Sequence, residues 1–359
     1  MIKTQPFPSL WDRLLKNSLK KNTLLELHFE LTYRCNLQCE YCYLPRNPSS
    51  EELSTSQVFS ILDDLKRMNT LWIYFTGGEV FTRGDITEIL LYAKSKGFMI
   101  SISTNGTLIT PQLCKLLKDL SIHLNVSLKS ATPENYEKIT RSPSAWEQVL
   151  NTLDLLKSYE IPFTITFLVT RRNYREFLLA RQIAKKYSAR FTFSYIIRPK
   201  WEGEKDIQKF QIPPSKILKL LHTYHREIIG EERERKPISH PSSAINLFYC
   251  RAGKSLAAIN PYGEMKPCIA LLYPSYNLKE IPISEAWNRL VDFIHSIKPS
   301  KDWYCPNCPW ESFCFRCPAE SWLYNHKFDS CPPWCRELAK GLAIEWENRY
   351  AKKSPLSGI

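Results

Sequence analysis

The sequence contains no apolar run near the roughly 18–20 residues that a membrane-spanning helix needs. Its apolar stretches are brief, such as Ile89-Leu90-Leu91. A secretory h-region is missing too, because Met1 to Leu10 mixes Lys3, Gln5 and two prolines. Both absences predict a cytoplasmic protein with no membrane partner. There is no internal repeat and no low-complexity tract. The formal charge is +13, and Arg171 to Lys209 holds eleven Lys/Arg against four Asp/Glu, which would suit an anionic partner such as an acidic peptide. No helix-turn-helix, zinc-finger or RNA-binding pattern accompanies that charge, so a nucleic acid is not the expected partner.

What the sequence does have is cysteine: twelve in 359 residues. A reducing cytosol disfavours a disulfide framework, which leaves metal or cluster ligation. Hydrophobic residues make up 43% of the chain, enough for a packed fold. The length suits a catalytic domain with a smaller companion.

Short β-rich runs alternate with helical patterns from Leu24 to about Ile197. The expected strands are Leu24–Thr32, Leu71–Phe75, Phe98–Ser103, Ile122–Leu128, Phe163–Val169 and Arg190–Ile197. Ser54 and Gln57 form a capping box before Val58, Ile61, Leu62 and Leu65. Ile86, Ile89, Leu90 and Ala93 run to a stop at Gly97, and Thr110-Pro111 opens a further helix. Six βα units imply an α/β fold with a parallel sheet. Six is short of the eight of a closed barrel, so a partial (β/α)6 barrel over 24–198 is predicted, preceded by an extension over 1–23. A linker with one helix (Ile217, Leu220, Leu221, Tyr224) spans 199–249. From Cys250 to Cys335 the chain is rich in cysteine, proline and tryptophan. It reads as a small irregular domain that needs metal to fold. A helix and tail over 336–359 close the chain.

Cys35, Cys39 and Cys42 follow the first strand with spacing Cys-x3-Cys-x2-Cys and Tyr41 before the last. Three thiolates on one loop can hold three irons of a cubane and leave the fourth iron open. Zinc is the alternative, and it usually asks for a fourth ligand close by. His28, on the preceding strand, is expected to pack rather than ligate, and His123, His222, His225 and His240 have no ligand-like spacing.

The triad resembles the signature of the radical S-adenosylmethionine (SAM) superfamily, in which the methionine amino and carboxylate groups chelate the open iron of a [4Fe–4S] cluster. Thr76-Gly77-Gly78-Glu79 resembles that family's GGE segment, which implies that its backbone and Glu79 hold the methionine amino group. Glycine suits a main chain that a ligand approaches closely. Ser103-Thr104-Asn105-Gly106 resembles the segment lining the ribose and methionine, and Ser127 and Arg141 match positions that contact the carboxylate. Relatives often carry Ser-x-Asp-Gly where this chain has Ser127-Leu128-Lys129-Ser130.

Further on, Cys250, Gly263 and Cys268 precede Cys305-x2-Cys308-x5-Cys314-x2-Cys317, then Cys331 and Cys335. The pattern resembles the SPASM extension, which carries auxiliary clusters, although it is one residue short at Phe315-Arg316. The resemblance implies one or two auxiliary clusters of the [4Fe–4S] type. Cys250, Cys268 and Cys317 would hold the inner one; Cys305, Cys308, Cys314 and Cys335 would hold the outer one. Cys331 is either an eighth ligand or free, and a zinc ribbon remains the alternative for four clustered cysteines. Cys114 reads as a buried structural thiol. Trp303, Tyr304, Trp310, Phe313, Trp322 and Trp334 are expected to shield the clusters.

The implied chemistry is reductive cleavage of SAM to a 5′-deoxyadenosyl radical, followed by oxidation of the substrate with an auxiliary cluster taking an electron. SPASM relatives point to crosslinks, thioethers or dehydrogenations in a ribosomally made peptide. The acidic residue that follows the inner-cluster cysteine in sulfatase maturases is absent, since Ile269 follows Cys268. Expected partners are a peptide delivered by a separate recognition protein and a flavodoxin- or ferredoxin-like electron donor. A small substrate such as a tetrapyrrole or sugar is the alternative, and a non-catalytic electron carrier the second.

Overall fold

The computed structural model describes residues 9–45, 51–200, 206–224, 247–314 and 316–350. Six strands alternate with helices: β1 (Glu26–Thr32), β2 (Trp72–Gly77), β3 (Met99–Thr104), β4 (His123–Leu128), β5 (Phe163–Leu168) and β6 (Arg190–Ser194). All six pair in parallel, each with its neighbour in sequence. The helices between them are α2 (Thr55–Arg67), α3 (Ile86–Ser95), α4 (Pro111–Asp119), α5 (Pro133–Thr140), α6 (Ala145–Ser158) and α7 (Phe177–Lys186); α1 (Leu10–Lys21) precedes β1.

Alternation along β1 shows how the sheet divides its faces. Leu27, Phe29 and Leu31 are fully buried against apolar helix residues such as Val58, Leu62 and Leu65, whereas Glu26 and His28 on the other face are half-buried. The Ser54–Gln57 capping box forms as expected, as does the Thr110 cap, which accepts the Leu113 N–H at 3.2 Å.

The sheet is open, as predicted, but it has nine strands in the order β6-β5-β4-β3-β2-β1-β7-β8-β9. The added strands are β7 (Leu256–Ile259), β8 (Glu264–Lys266) and β9 (Tyr276–Asn277). Strand β7 lies parallel to β1, from Glu26 opposite Leu256 to Phe29 opposite Ile259. The cysteine-rich segment therefore begins as an extension of the barrel sheet. It also has apolar order that the sequence reading missed. In α9 (Ile283–Ser296), Ile283, Ala286, Trp287, Leu290 and Ile294 are buried at helical spacing. A satellite core of Leu247, Phe248, Leu271, Ile294 and Trp303 packs against Cys268, Cys305 and Cys317. The N-terminal extension is helical as well: Ser9 and Asp12 form a capping box on α1, and Trp11 meets Trp72 edge-on at 5.3 Å. Three later helices, α8 (Pro214–Tyr224), α10 (Pro318–Asn325) and α11 (Pro333–Tyr350), complete the fold, with α11 packed on α8. Among the described residues no helix is long and apolar enough to cross a membrane.

Candidate cluster and cofactor site

The triad loop leaves the C-terminal end of β1 and is held by backbone bonds on two sides. The Gln38 and Glu40 N–H groups donate to the carbonyls of Thr140 and Ile139 at 3.1 and 3.0 Å. Those carbonyls belong to the last turn of α5, which has no intrahelical donor for them. Arg141 terminates α5 in the left-handed region at φ 56° with an exposed side chain, next to the Thr140 carbonyl that holds the triad loop. All three thiols are free; Cys35 is exposed, and Cys39 and Cys42 are half-buried. Desolvation pushes the Cys39 thiol up to about 11, with the Lys129 ammonium pulling the other way. The Cys35 thiol is also raised by desolvation, against the Leu37 N–H and Lys129.

The glycine segment also meets a steric need within the chain itself. A Cβ on Gly78 would sit 2.2 Å from the Arg34 carbonyl oxygen, and one on Gly77, at φ +126°, would sit 2.2 Å from the Thr32 oxygen. What approaches these glycines is the backbone leading into the triad. The Gly78 N–H donates to Thr32 O at 2.7 Å and the Glu79 N–H to Arg34 O at 2.9 Å. Glu79 is fully buried, and its carboxylate accepts from the Thr104 hydroxyl at 2.8 Å and the Asn105 N–H at 2.6 Å. Burial raises its pKa, and these donors oppose the shift. Asn105 in turn reaches Cys35 Sγ at 3.7 Å and Asn36 Oδ1 at 2.9 Å. Glu79 thus ties the end of β3 to the triad loop. Asn36 and Thr107 complete that network, with Asn36 Nδ2 donating to the Thr107 hydroxyl at 2.8 Å. Neither position carries a sequence signal beyond its nearness to a motif.

Beyond the triad a cavity opens over the ends of β4, β5 and β6, lined by Tyr41, Ser127, Lys129, Thr166, Thr192 and Ser194. The Tyr41 hydroxyl is buried without a hydrogen-bond partner among the described residues. Ser103 faces elsewhere in the lumen, bonded to the Tyr74 hydroxyl. Lys129 occupies the position where the family pattern has an acidic residue. Its backbone is pinned by Asn173, whose Nδ2 donates to Lys129 O at 2.8 Å. Free thiols on one loop, a cation beside them and an orphan hydroxyl in the adjoining cavity fit an anionic cluster and a polar cofactor.

The C-terminal cysteines gather in two sets. Cys305, Cys308, Cys314 and Cys331 wall a cavity. Cys250, Cys268 and Cys317 are linked by mutual electrostatic influence, with Arg198 acting on both Cys268 and Cys317. Cys335 is not in the cavity wall. It is buried at 5% exposure, where Glu320, Cys314, Cys331 and Cys317 all push its thiol up. The cavity wall thus holds Cys331 and not Cys335, the cysteine that the resemblance implied for the outer set. Among the described residues, no three His, Cys, Asp or Glu side chains converge tightly enough for a single metal ion. Cys114 is fully buried in α4, as a structural thiol should be. Trp303 packs against Cys268, Cys305 and Cys317, and Tyr304, 49% exposed, lines the cavity walled by Cys305, Cys308, Cys314 and Cys331. His28 pairs with Glu26 at 2.9 Å and His222 with Glu345 at 3.1 Å; His225 and His240 lie outside the described residues.

Residues 29–182 match the sequence model of the Radical SAM superfamily. An AdoMet-dependent heme synthase from Methanosarcina barkeri is 24% identical, covering 86% of this chain and 95% of its own. The mycofactocin maturase MftC from Mycolicibacterium smegmatis is 26% identical over 99% of this chain and 92% of its own. The crystal structure of Streptococcus suis SuiB bound to S-adenosylmethionine has the same fold, with a TM-score of 0.68 at 19% identity over 90% of this chain and 81% of that one. The chain carries a radical SAM domain over residues 29–182 and is an enzyme of the kind that uses S-adenosylmethionine and an iron–sulfur cluster.

Proposed function

We propose that this enzyme oxidatively modifies a ribosomally made peptide, forming a crosslink, a thioether or a dehydrogenated residue. The observation that carries the peptide reading is the extent of the match to the mycofactocin maturase, which runs along 99% of the chain and so includes both cysteine regions. Cys35, Cys39 and Cys42 would hold the catalytic [4Fe–4S] cluster. When bound, that cluster and SAM supply one-electron cleavage to a 5′-deoxyadenosyl radical that removes hydrogen from an unactivated carbon.

The chain's own residues orient and enclose. The backbone of Gly77 and Gly78 fixes the triad loop, and Glu79 and Asn105 hold Cys35 toward β3. Ser103, Ser127, Lys129, Arg141 and the Tyr41 hydroxyl would supply polar contacts for SAM. Residues 24–198 form the catalytic unit in this reading, and 250–335 the auxiliary one. Cys305, Cys308, Cys314 and Cys331 would hold the outer auxiliary cluster. Cys250, Cys268 and Cys317 would hold the inner one, and Cys335 lies within electrostatic reach of Cys314, Cys331 and Cys317. A separate recognition protein and a small flavodoxin- or ferredoxin-like donor would complete the system.

A second reading, oxidation of a tetrapyrrole, is favoured by the heme synthase relative. Incubation with dithionite and SAM, together with a short peptide encoded beside this chain or a porphyrin precursor, separates the two. The expected result is 5′-deoxyadenosine in step with a peptide lighter by two hydrogens. Turnover of the porphyrin precursor with an unchanged peptide would overturn the peptide reading. The Cys35/Cys39/Cys42→Ala variant should release no deoxyadenosine.

A further inference from the structure

We infer that Arg316 raises the redox potential of the outer auxiliary cluster by donating guanidinium N–H groups to sulfur in the cavity walled by Cys305, Cys308, Cys314 and Cys331. The inference rests on reading that cavity as an iron–sulfur site.

Arg316 lines the cavity with those four cysteines. Its guanidinium carbon lies 4.9 Å from the centre of the Trp303 ring and 5.1 Å from that of Tyr249. These ring faces stabilise the charge and hold the side chain in place. They do not provide in-line acceptors. Nε and Nη1 are buried and have no hydrogen-bond partner among the described residues. Buried guanidinium donors are rarely left unpaired, so the site as folded has two donors short of an acceptor.

The acceptor has to be anionic, fit the cavity and lie next to thiolates, and cluster sulfide or thiolate sulfur meets all three conditions. The chain geometry enforces this placement. In Cys314-Phe315-Arg316-Cys317 the arginine is tethered by a cysteine on each side, with only two residues between them. Reduction adds negative charge to a cluster, so nearby N–H donors and a fixed cation stabilise the reduced form and raise its potential.

The test uses the full chain carrying Cys35/Cys39/Cys42→Ala and reconstituted anaerobically, so that only auxiliary clusters are present. Iron and sulfide content and an EPR-monitored redox titration are compared for Arg316, Arg316→Met, Arg316→Gln and Arg316→Lys. Arg316→Met should keep its iron and shift one midpoint potential to more negative values while the other stays in place. Arg316→Lys should recover part of the shift through its charge, and Arg316→Gln part through its donors. Unchanged potentials with full iron content would overturn the inference. Equal loss of iron in all three variants would also overturn it and leave Arg316 as a structural strut. Absence of iron from the Arg316 parent would overturn the iron–sulfur reading of the cavity, and this inference with it.

Discussion

Alanine at Gly78 would add one methyl group where β2 meets the entrance to the triad loop. The new Cβ would lie 2.2 Å from the Arg34 oxygen and 2.8 Å from both the Arg34 carbonyl carbon and the Tyr33 oxygen. Ordinary contact begins at 3.4 Å, so two backbone segments must separate by about 1 Å. Gly78 is not at positive φ, which makes the penalty one of space alone. Overpacking of this kind costs about 1–3 kcal/mol. The separation also breaks the bonds from the Gly78 and Glu79 N–H groups to Thr32 and Arg34, at roughly 1 kcal/mol each. The expected loss is ~3–5 kcal/mol. Gly84→Ala is the control, because nothing lies within 4 Å of its Cβ position, and it should change stability by less than about 0.5 kcal/mol. Urea unfolding of the metal-free protein, followed by tryptophan fluorescence and circular dichroism, gives both values. If Gly78→Ala and Gly84→Ala unfold at the same urea concentration, the steric argument for the glycine pair is wrong.

Three further outcomes are expected. Cys331→Ser should lose or perturb the outer cluster's spectrum while Cys335→Ser leaves that cluster intact; the reverse pattern would restore the assignment first drawn from sequence. Lys129→Met should slow alkylation of Cys35 and Cys39 in the metal-free protein at fixed pH, because removing the cation raises both thiols; equal rates would show that Lys129 does not act on the triad. Asp85 is held down to about 2, chiefly by its hydrogen bonds to Arg83. A carboxyl depressed on folding adds stability that is present above its unfolded value and is lost as pH falls through its folded value. Asp85→Asn should therefore flatten the fall in thermal midpoint between pH about 4 and about 2, and an unaltered acid slope would contradict this.

The triad and the six βα units were legible because each rests on local chemistry. Spacing puts Cys35, Cys39 and Cys42 on one loop, and alternation in β1 and helical periodicity in α2 depend only on neighbours in sequence. The Ser54 and Thr110 caps were readable for the same reason. The glycine pair was found, but its steric need was not: the clash that forbids a side chain at Gly78 comes from Arg34, forty-four residues earlier. Helix α9 escaped notice because the surrounding cysteines and prolines masked its periodicity. Strand β7 escaped because four residues carry too little pattern to declare a strand that is stabilised by pairing with β1.

By itself, then, the sequence determined the cysteine triad on one loop, the open α/β sheet and the existence of a second cysteine-bearing region. Those features follow from residue spacing and side-chain type. Only the tertiary structure decided that this region extends the barrel sheet, that Glu79 clamps β3 to the triad loop, and that Cys331 rather than Cys335 lines the cavity with Cys305, Cys308 and Cys314. Each of these depends on contacts between segments far apart in the chain. Cys331 and Cys335 are four residues apart, and which thiol lines the cavity is settled by how α11 packs on α8 and on the outer loops.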